Sequence, residues 1–160
     1  MLKVVSNTTP IISLLKIDKL EIFKNLYDEI MIPEEVFNEI EAGKHKEFYV
    51  DLTKIKWIKI KKIKDNDALS YFLDLDKGEA EAIVLAKEQK ADLIILDESL
   101  GRFHAKHTGL KVTGTIGLLL KAKQLGLIPE IKPLLLELKS KNVWFGANFL
   151  ANVLKFADEI

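Results

Sequence analysis

Hydrophobic and polar positions alternate in two registers along the chain. Val4–Ser6 and Glu29–Ile32 are short, mostly apolar runs that predict strands, as does Lys111–Thr113. Leu93–Leu96 is apolar throughout, the pattern of a strand buried on both faces. Ile55–Ile63 interleaves apolar residues with Lys56, Lys59, Lys61 and Lys62 near period 2, which predicts a half-buried edge strand with lysines on its wet face. Helical spacing fills the intervals. Thr9 reads as the cap of a helix that begins with Pro10 and continues through Leu14, Leu15 and Ile17. Pro33 opens a second helix, with Glu34 and Glu35 in its first turn and Gly43 at its end. A short helix is predicted over Asp67–Leu73. The stretch Asp76-Lys77-Gly78-Glu79 resembles a capping box and opens a helix through Lys90. Further helices are predicted over Leu100–Lys106, Thr115–Leu125, Pro129–Lys139 and Asn148–Asp158. Strands alternating with helices predict an α/β fold with a parallel sheet.

Composition narrows this picture. A chain of 160 residues, 48% hydrophobic, with no repeat and no linker, suits a single domain over residues 1–160. The 24 basic and 24 acidic side chains cancel, which argues against a strongly cationic nucleic-acid wrapper while leaving room for a local basic patch. The absence of cysteine removes disulfides, thiol catalysis and cysteine-based zinc sites. No apolar run reaches membrane-span length and no signal peptide is apparent, so the expected location is the cytoplasm.

Sites in open α/β sheets form beyond the carboxyl ends of the strands. Asn7 lies just past the first strand and Asp97 just past Leu93–Leu96, so the two meet if their strands are neighbours. Glu39 flanks the apolar stripe of Val36, Phe37 and Ile40, and Glu79 sits in the first turn of its helix. Carboxylates converging on one cleft repel unless a cation lies between them, and all-oxygen ligands suit Mg2+ or Mn2+. Taken singly, each residue has a plainer reading. Glu79 is a capping-box partner, Asp97 a helix cap, Glu39 a solvated helix flank and Asn7 an Asx-turn at a strand end. Other chemistries fail on spacing. No phosphate-binding glycine loop and no nucleophile elbow is present. Asp74–Gly78 departs from a calcium loop, and His104 and His107 lack a third zinc ligand.

The stretches "VVSNTTPIISLLKI", "IPEEVFNEI", "GEAEAIVLAKE", "LIILDESLGR" and "TGTIGLLLKAKQLGLI" together resemble the PIN-domain family, in its branch of predicted nucleic-acid-binding proteins related to VapC toxins. The resemblance implies a three-layer α/β/α fold with a central parallel sheet and about four acidic positions. It further implies a Mg2+- or Mn2+-dependent ribonuclease acting on single-stranded RNA, a toxin paired with an antitoxin protein, and a homodimer. Mapped by motif, the four positions are Asn7, Glu39, Glu79 (with Glu81 the less favoured choice) and Asp97. Asn7 departs from the pattern, because an amide replaces the usual first acid. Ile95 departs too, standing where many such sites carry a hydroxyl two residues before the last acid, for which Ser99 is a possible substitute. With these two departures, an inactive or weak nucleic-acid-binding or antitoxin-docking module is the alternative to a nuclease. Arg102, the only arginine, and Lys106 belong to a local positive cluster after Asp97 and are the expected RNA contacts. An ion pair of Arg102 with Glu98, or a helix-end contact, is the competing reading.

Overall fold

The computed structural model describes residues 2–160. Strands β1 (Val4–Ser6), β2 (Ile30–Pro33), β3 (Ile58–Lys61), β4 (Leu93–Ile95) and β5 (Val112–Thr113) form one sheet in the order β3-β2-β1-β4-β5. Every neighbouring pair is parallel, with Val5 opposite Met31 on one side and Ile94 on the other. The helices are α1 (Thr8–Lys16), α2 (Glu21–Tyr27), α3 (Glu34–Ala42), α4 (Lys77–Glu88), α5 (Ser99–His107), α6 (Thr115–Gln124), α7 (Lys132–Ser140) and α8 (Ala147–Phe156). Short 3-10 helices at Leu52–Lys54 and Asn66–Phe72 flank β3.

The fold is a three-layer α/β/α sandwich, and the alternation of strand side chains shows why. Val4, Ile30, Ile32 and Ile95 enter one core with Ile11, Leu14, Phe23, Val36 and Leu118 of the helices on that face. Val5, Met31, Ile94 and Leu96 enter the other core with Ile83, Leu85 and Ala105 of α4 and α5. The chain steps outward from β1 to β2 to β3, returns past β1 to β4, and steps outward again to β5. Right-handed crossovers put connections running in opposite directions on opposite faces. The direction changes between β1 and β4, and a crevice opens there beyond the carboxyl ends of the strands.

Several predicted boundaries shift. The first helix begins at Thr8, with Asn7 rather than Thr9 in the cap position. Pro10 is third in that helix, still in the first turn, where a missing N–H costs no intrahelical bond. Pro33 ends β2 opposite Lys61 and caps α3, so it does not itself open the helix. The lysine-rich strand is the sheet edge as expected but is shorter than predicted: Ile58 is buried while Lys59 and Lys61 are exposed. Helix α2 has no counterpart in the sequence reading. Among the described residues, no helix is long and apolar enough to cross a membrane.

Candidate functional site

Asn7 and Asp97 do meet at one edge. β1 and β4 are neighbours, with Ser6 opposite Ile95, and the Asn7 N–H donates to the Ile95 carbonyl at 2.9 Å. Asn7 occupies the cap position of α1, yet its side chain makes no capping bond. Its Oδ1 is buried and has no hydrogen-bond partner among the described residues, in a residue only 2% exposed. Leaving a buried acceptor unpaired costs about 1–3 kcal/mol. A neutral oxygen is therefore held just past β1, next to β4, without being used for the fold.

The next residue links two elements. The Thr8 hydroxyl donates to Glu39 Oε2 and holds that carboxylate, carried by the second turn of α3, at the start of α1. Thr9 lies over Glu98, its hydroxyl 3.5 Å from Oε1. The polar "NTT" cluster therefore works outward from α1 as well as opening it.

Helix α4 is buried on every side from Gly78 to Ala86, because it packs against the sheet, α3 and α5 together. The two carboxylates of that stretch, Glu79 and Glu81, are thus inside the protein, and their partners tell them apart. Glu81 Oε1 accepts from the Glu35 N–H at 3.3 Å, at the positive start of α3. Glu79 has acidic company instead. Burial, a hydrogen bond with Asp76 and repulsion from Asp76, Glu98 and Glu39 push its carboxyl up from 4.5 to about 8. Asp76 also accepts the Glu79 N–H at 2.8 Å, so the predicted cap exists. Burial likewise raises the Glu39 carboxyl, with repulsion from Asp76 and Glu35 adding to it and the Thr8 hydrogen bond opposing it. Glu39, Glu79, Asp76 and Glu98 thus form one electrostatically linked cluster.

Asp97, two residues beyond β4, is held by the start of α6. Its Oδ1 accepts the Thr115 N–H and its Oδ2 the Thr115 hydroxyl, both at 2.7 Å. Thr115 supplies the hydroxyl that Ile95 cannot, since Ile95 is fully buried in the first core. Ser99 begins α5 and lies exposed. Arg102 donates from Nη1 to the Leu96 carbonyl at 3.0 Å, so its guanidinium lies beside Asp97. This is a contact to the strand end; no ion pair of Arg102 with Glu98 or Asp97 forms among the described residues. Lys106 is exposed on the last turn of α5, which begins at the carboxyl edge and runs away from it.

The chain matches, over residues 3–159, a family model described as "DUF3368: PIN domain". The chain belongs to the PIN-domain family. No curated protein sequence matches it. Membership gives the fold a nuclease-like context, in a family that generally uses divalent metal ions and suggests nucleic-acid binding. The five-stranded parallel sheet with flanking helices agrees with the resemblance.

The structure also explains three glycines in this PIN domain's motifs. A Cβ on Gly78 would stand 2.3 Å from Glu39 Oε1. One on Gly101 would stand 2.7 Å from Glu79 Oε2, and one on Gly114 would stand 2.6 Å from Asp97 Oδ1. Each of the three carboxylates therefore rests against a glycine from another part of the chain. "GEAEA", "DESLGR" and "TGT" each hold one of these glycines, and two of them also hold one of the candidate acids. Thr8 and Thr115 complete the group of supporting residues.

Proposed function

We propose that this PIN domain is a metal-dependent ribonuclease of single-stranded RNA, with Glu39, Glu79, Asp97 and Asn7 providing oxygen ligands for Mg2+ or Mn2+. The observation that carries this reading is the buried Asn7 Oδ1, unpartnered among the described residues, at the carboxyl edge where β1 lies beside β4 and the start of the Asp97 segment. An all-oxygen donor set fits a hard divalent cation. Among the described residues, no three carboxylates or histidines stand together as a ready cation cage. Loading therefore requires rearrangement: Glu79 releases its proton, and Asp97 offers lone pairs beyond those that Thr115 occupies. A bound ion would supply activated water and charge for the leaving oxygen. Thr8 and Thr115 position Glu39 and Asp97, Asn7 serves as a neutral ligand or orients the attacking water, and Arg102 offers its guanidinium to phosphate. In-line attack leaving a 5′-phosphate and a 3′-hydroxyl follows from the family resemblance, as do the toxin role, an antitoxin partner and a homodimer.

A second reading has its own support. Asn7 cannot act as a base, and both Asp97 oxygens already accept hydrogen bonds, which favours a nucleic-acid-binding module of feeble catalysis. The test is Mn2+ titration calorimetry joined to cleavage of a labelled single-stranded RNA. The nuclease reading expects cleavage that chelation abolishes and that Asp97→Asn and Glu79→Gln each reduce at least about a hundredfold, the scale of a lost electrostatic group. RNA binding without metal-dependent cleavage would select the second reading. Cleavage indifferent to chelator and to both substitutions would remove the site altogether.

A further inference from the structure

A cavity of about 470 Å³ opens directly beside Asp97. One wall is aromatic, made by Trp144, Phe145 and Phe149 at the entry to α8. The rest is lined by Ile116, Leu138 and Val143, with Thr9, Ser13, Thr115 and Asp97 as its polar members. Its size falls within the roughly 300–1,000 Å³ of small-ligand sites. Trp144 is 82% exposed and Phe149 49% exposed. Large aromatic side chains left this open beside a carboxylate mark a recognition surface more than a core. The rings of Phe145 and Phe149 are stacked at 17°, with centroids 6.2 Å apart, so the wall already has the parallel geometry that a third flat ring would extend.

We propose that this cavity is a nucleobase pocket, which seats one unpaired base of the strand whose phosphate lies at the acidic site. The inference rests on the RNA reading above and adds the subsite that would hold the base. Three observations select this occupant. The cavity and the acidic site share Asp97 and Thr115, so one nucleotide can span both. Among the described residues no lysine or arginine lines the cavity, so it is suited to an uncharged group and leaves phosphate outside. The wall pairs a stacking face with hydroxyls and a carboxylate. A base, with its apolar π-face and its donor- and acceptor-bearing edge, satisfies both, whereas an apolar face of a second copy would strip water from the Asp97 carboxylate without offering it a donor.

The test uses single-stranded RNA octamers with phosphorothioate linkages, which resist cleavage. They are bound to the full chain in Mn2+, either intact or with an abasic site at each position in turn. Stacking of one base predicts one position at which base removal weakens binding about tenfold. In Trp144→Ala and Phe149→Ala, intact and abasic octamers should bind alike, with Mn2+ affinity unchanged. Wild-type binding that ignores base removal at every position would overturn the pocket while leaving metal-dependent RNA binding intact. Failure of all octamers to bind would remove the RNA reading and the pocket with it. A concentration-dependent dimer in sedimentation that Trp144→Ala dissociates would assign the aromatic wall to a second copy and equally overturn the proposal.

Discussion

Glu79→Gln should make the metal-free protein more stable above neutral pH and should flatten a pH dependence that the wild type shows. The Glu79 carboxyl is raised from 4.5 to about 8 in the fold. Between those values the folded chain keeps a proton that the unfolded chain has lost. Stability is therefore fully present below about pH 4.5 and declines as pH rises through about 8, where the folded form must carry a buried anion among Asp76, Glu98 and Glu39. At about 1.4 kcal/mol per pH unit the interval sets a ceiling near 5 kcal/mol. Asp76 and Glu98 are exposed, and salt screens their share, so about 2–3 kcal/mol is the realistic size. For a chain of this length that corresponds to about 5–10 °C in Tm. Glutamine copies the shape and charge of the protonated acid and can still donate to Asp76. Thermal unfolding in chelator from pH 5 to 9 should show the wild-type Tm falling relative to Glu79→Gln across that range. Mn2+ should reverse the deficit in the wild type alone. Its binding at pH 7 should release about one proton, read from calorimetry in buffers of different ionisation heat, and Glu79→Gln should release none. Tm profiles that stay parallel between the two proteins would refute the buried protonated carboxyl and the repulsion assigned to it.

Asn7→Asp adds a charged ligand at the 2% exposed edge position; Mn2+ affinity should rise about tenfold while the chelated protein loses Tm, and equal or weaker calorimetric affinity would place Asn7 outside the ligand set. Gly114→Ala would set a methyl 2.6 Å from Asp97 Oδ1 and 3.1 Å from Arg102 Nη1, so it should break the Thr115 contacts, cost about 1 kcal/mol as a lost cap, and weaken Mn2+ binding. Gly43→Ala, whose neighbours stand at 3.5 Å and beyond, is the control, and equal effects of the two in calorimetry would remove the special role of Gly114. Arg102→Ala with Lys106→Ala should weaken single-stranded RNA binding and reduce its salt slope by about one to two, with Arg102 responsible for most of the loss because Lys106 lies at the far end of α5. An unaltered slope would move the RNA path to the lysine edge of β3.

What could be read from residues alone divides along a physical line between local and non-local information. β1 and β4 are legible because buried parallel strands are short, largely apolar runs. The cap of α4 is legible because Asp76 and Glu79 are three residues apart and bond to each other. Helix α2 is not, since it is seven residues long and its cap position holds Leu20, which makes no side-chain bond; the packing of Ile22 and Phe23 into the first core forms it instead. The identity of residue 7 is plain in the sequence. Its meaning is not, because an asparagine at a helix start is usually a cap. Only the pairing of β1 with β4 reveals an amide oxygen that is buried and unused.

The glycines show the same division more sharply. Gly43 and Gly78 look alike in one dimension, each near a helix end. Gly43 closes α3 and has ordinary space around it, whereas Gly78 gives up its side chain so that Glu39, thirty-nine residues away, can lie against the backbone. Gly101 and Gly114 do the same for Glu79 and Asp97. Nothing local separates the two kinds, because the atom that forbids a Cβ comes from another element. A motif such as "GEAEA" is therefore better understood as two halves of two different contacts: Glu79 rests on Gly101, and Gly78 receives Glu39. The acids and the glycines together fix where each carboxylate can stand. A substitution at a glycine should then act on divalent-ion affinity as a substitution at its acid does, though no ligand is removed.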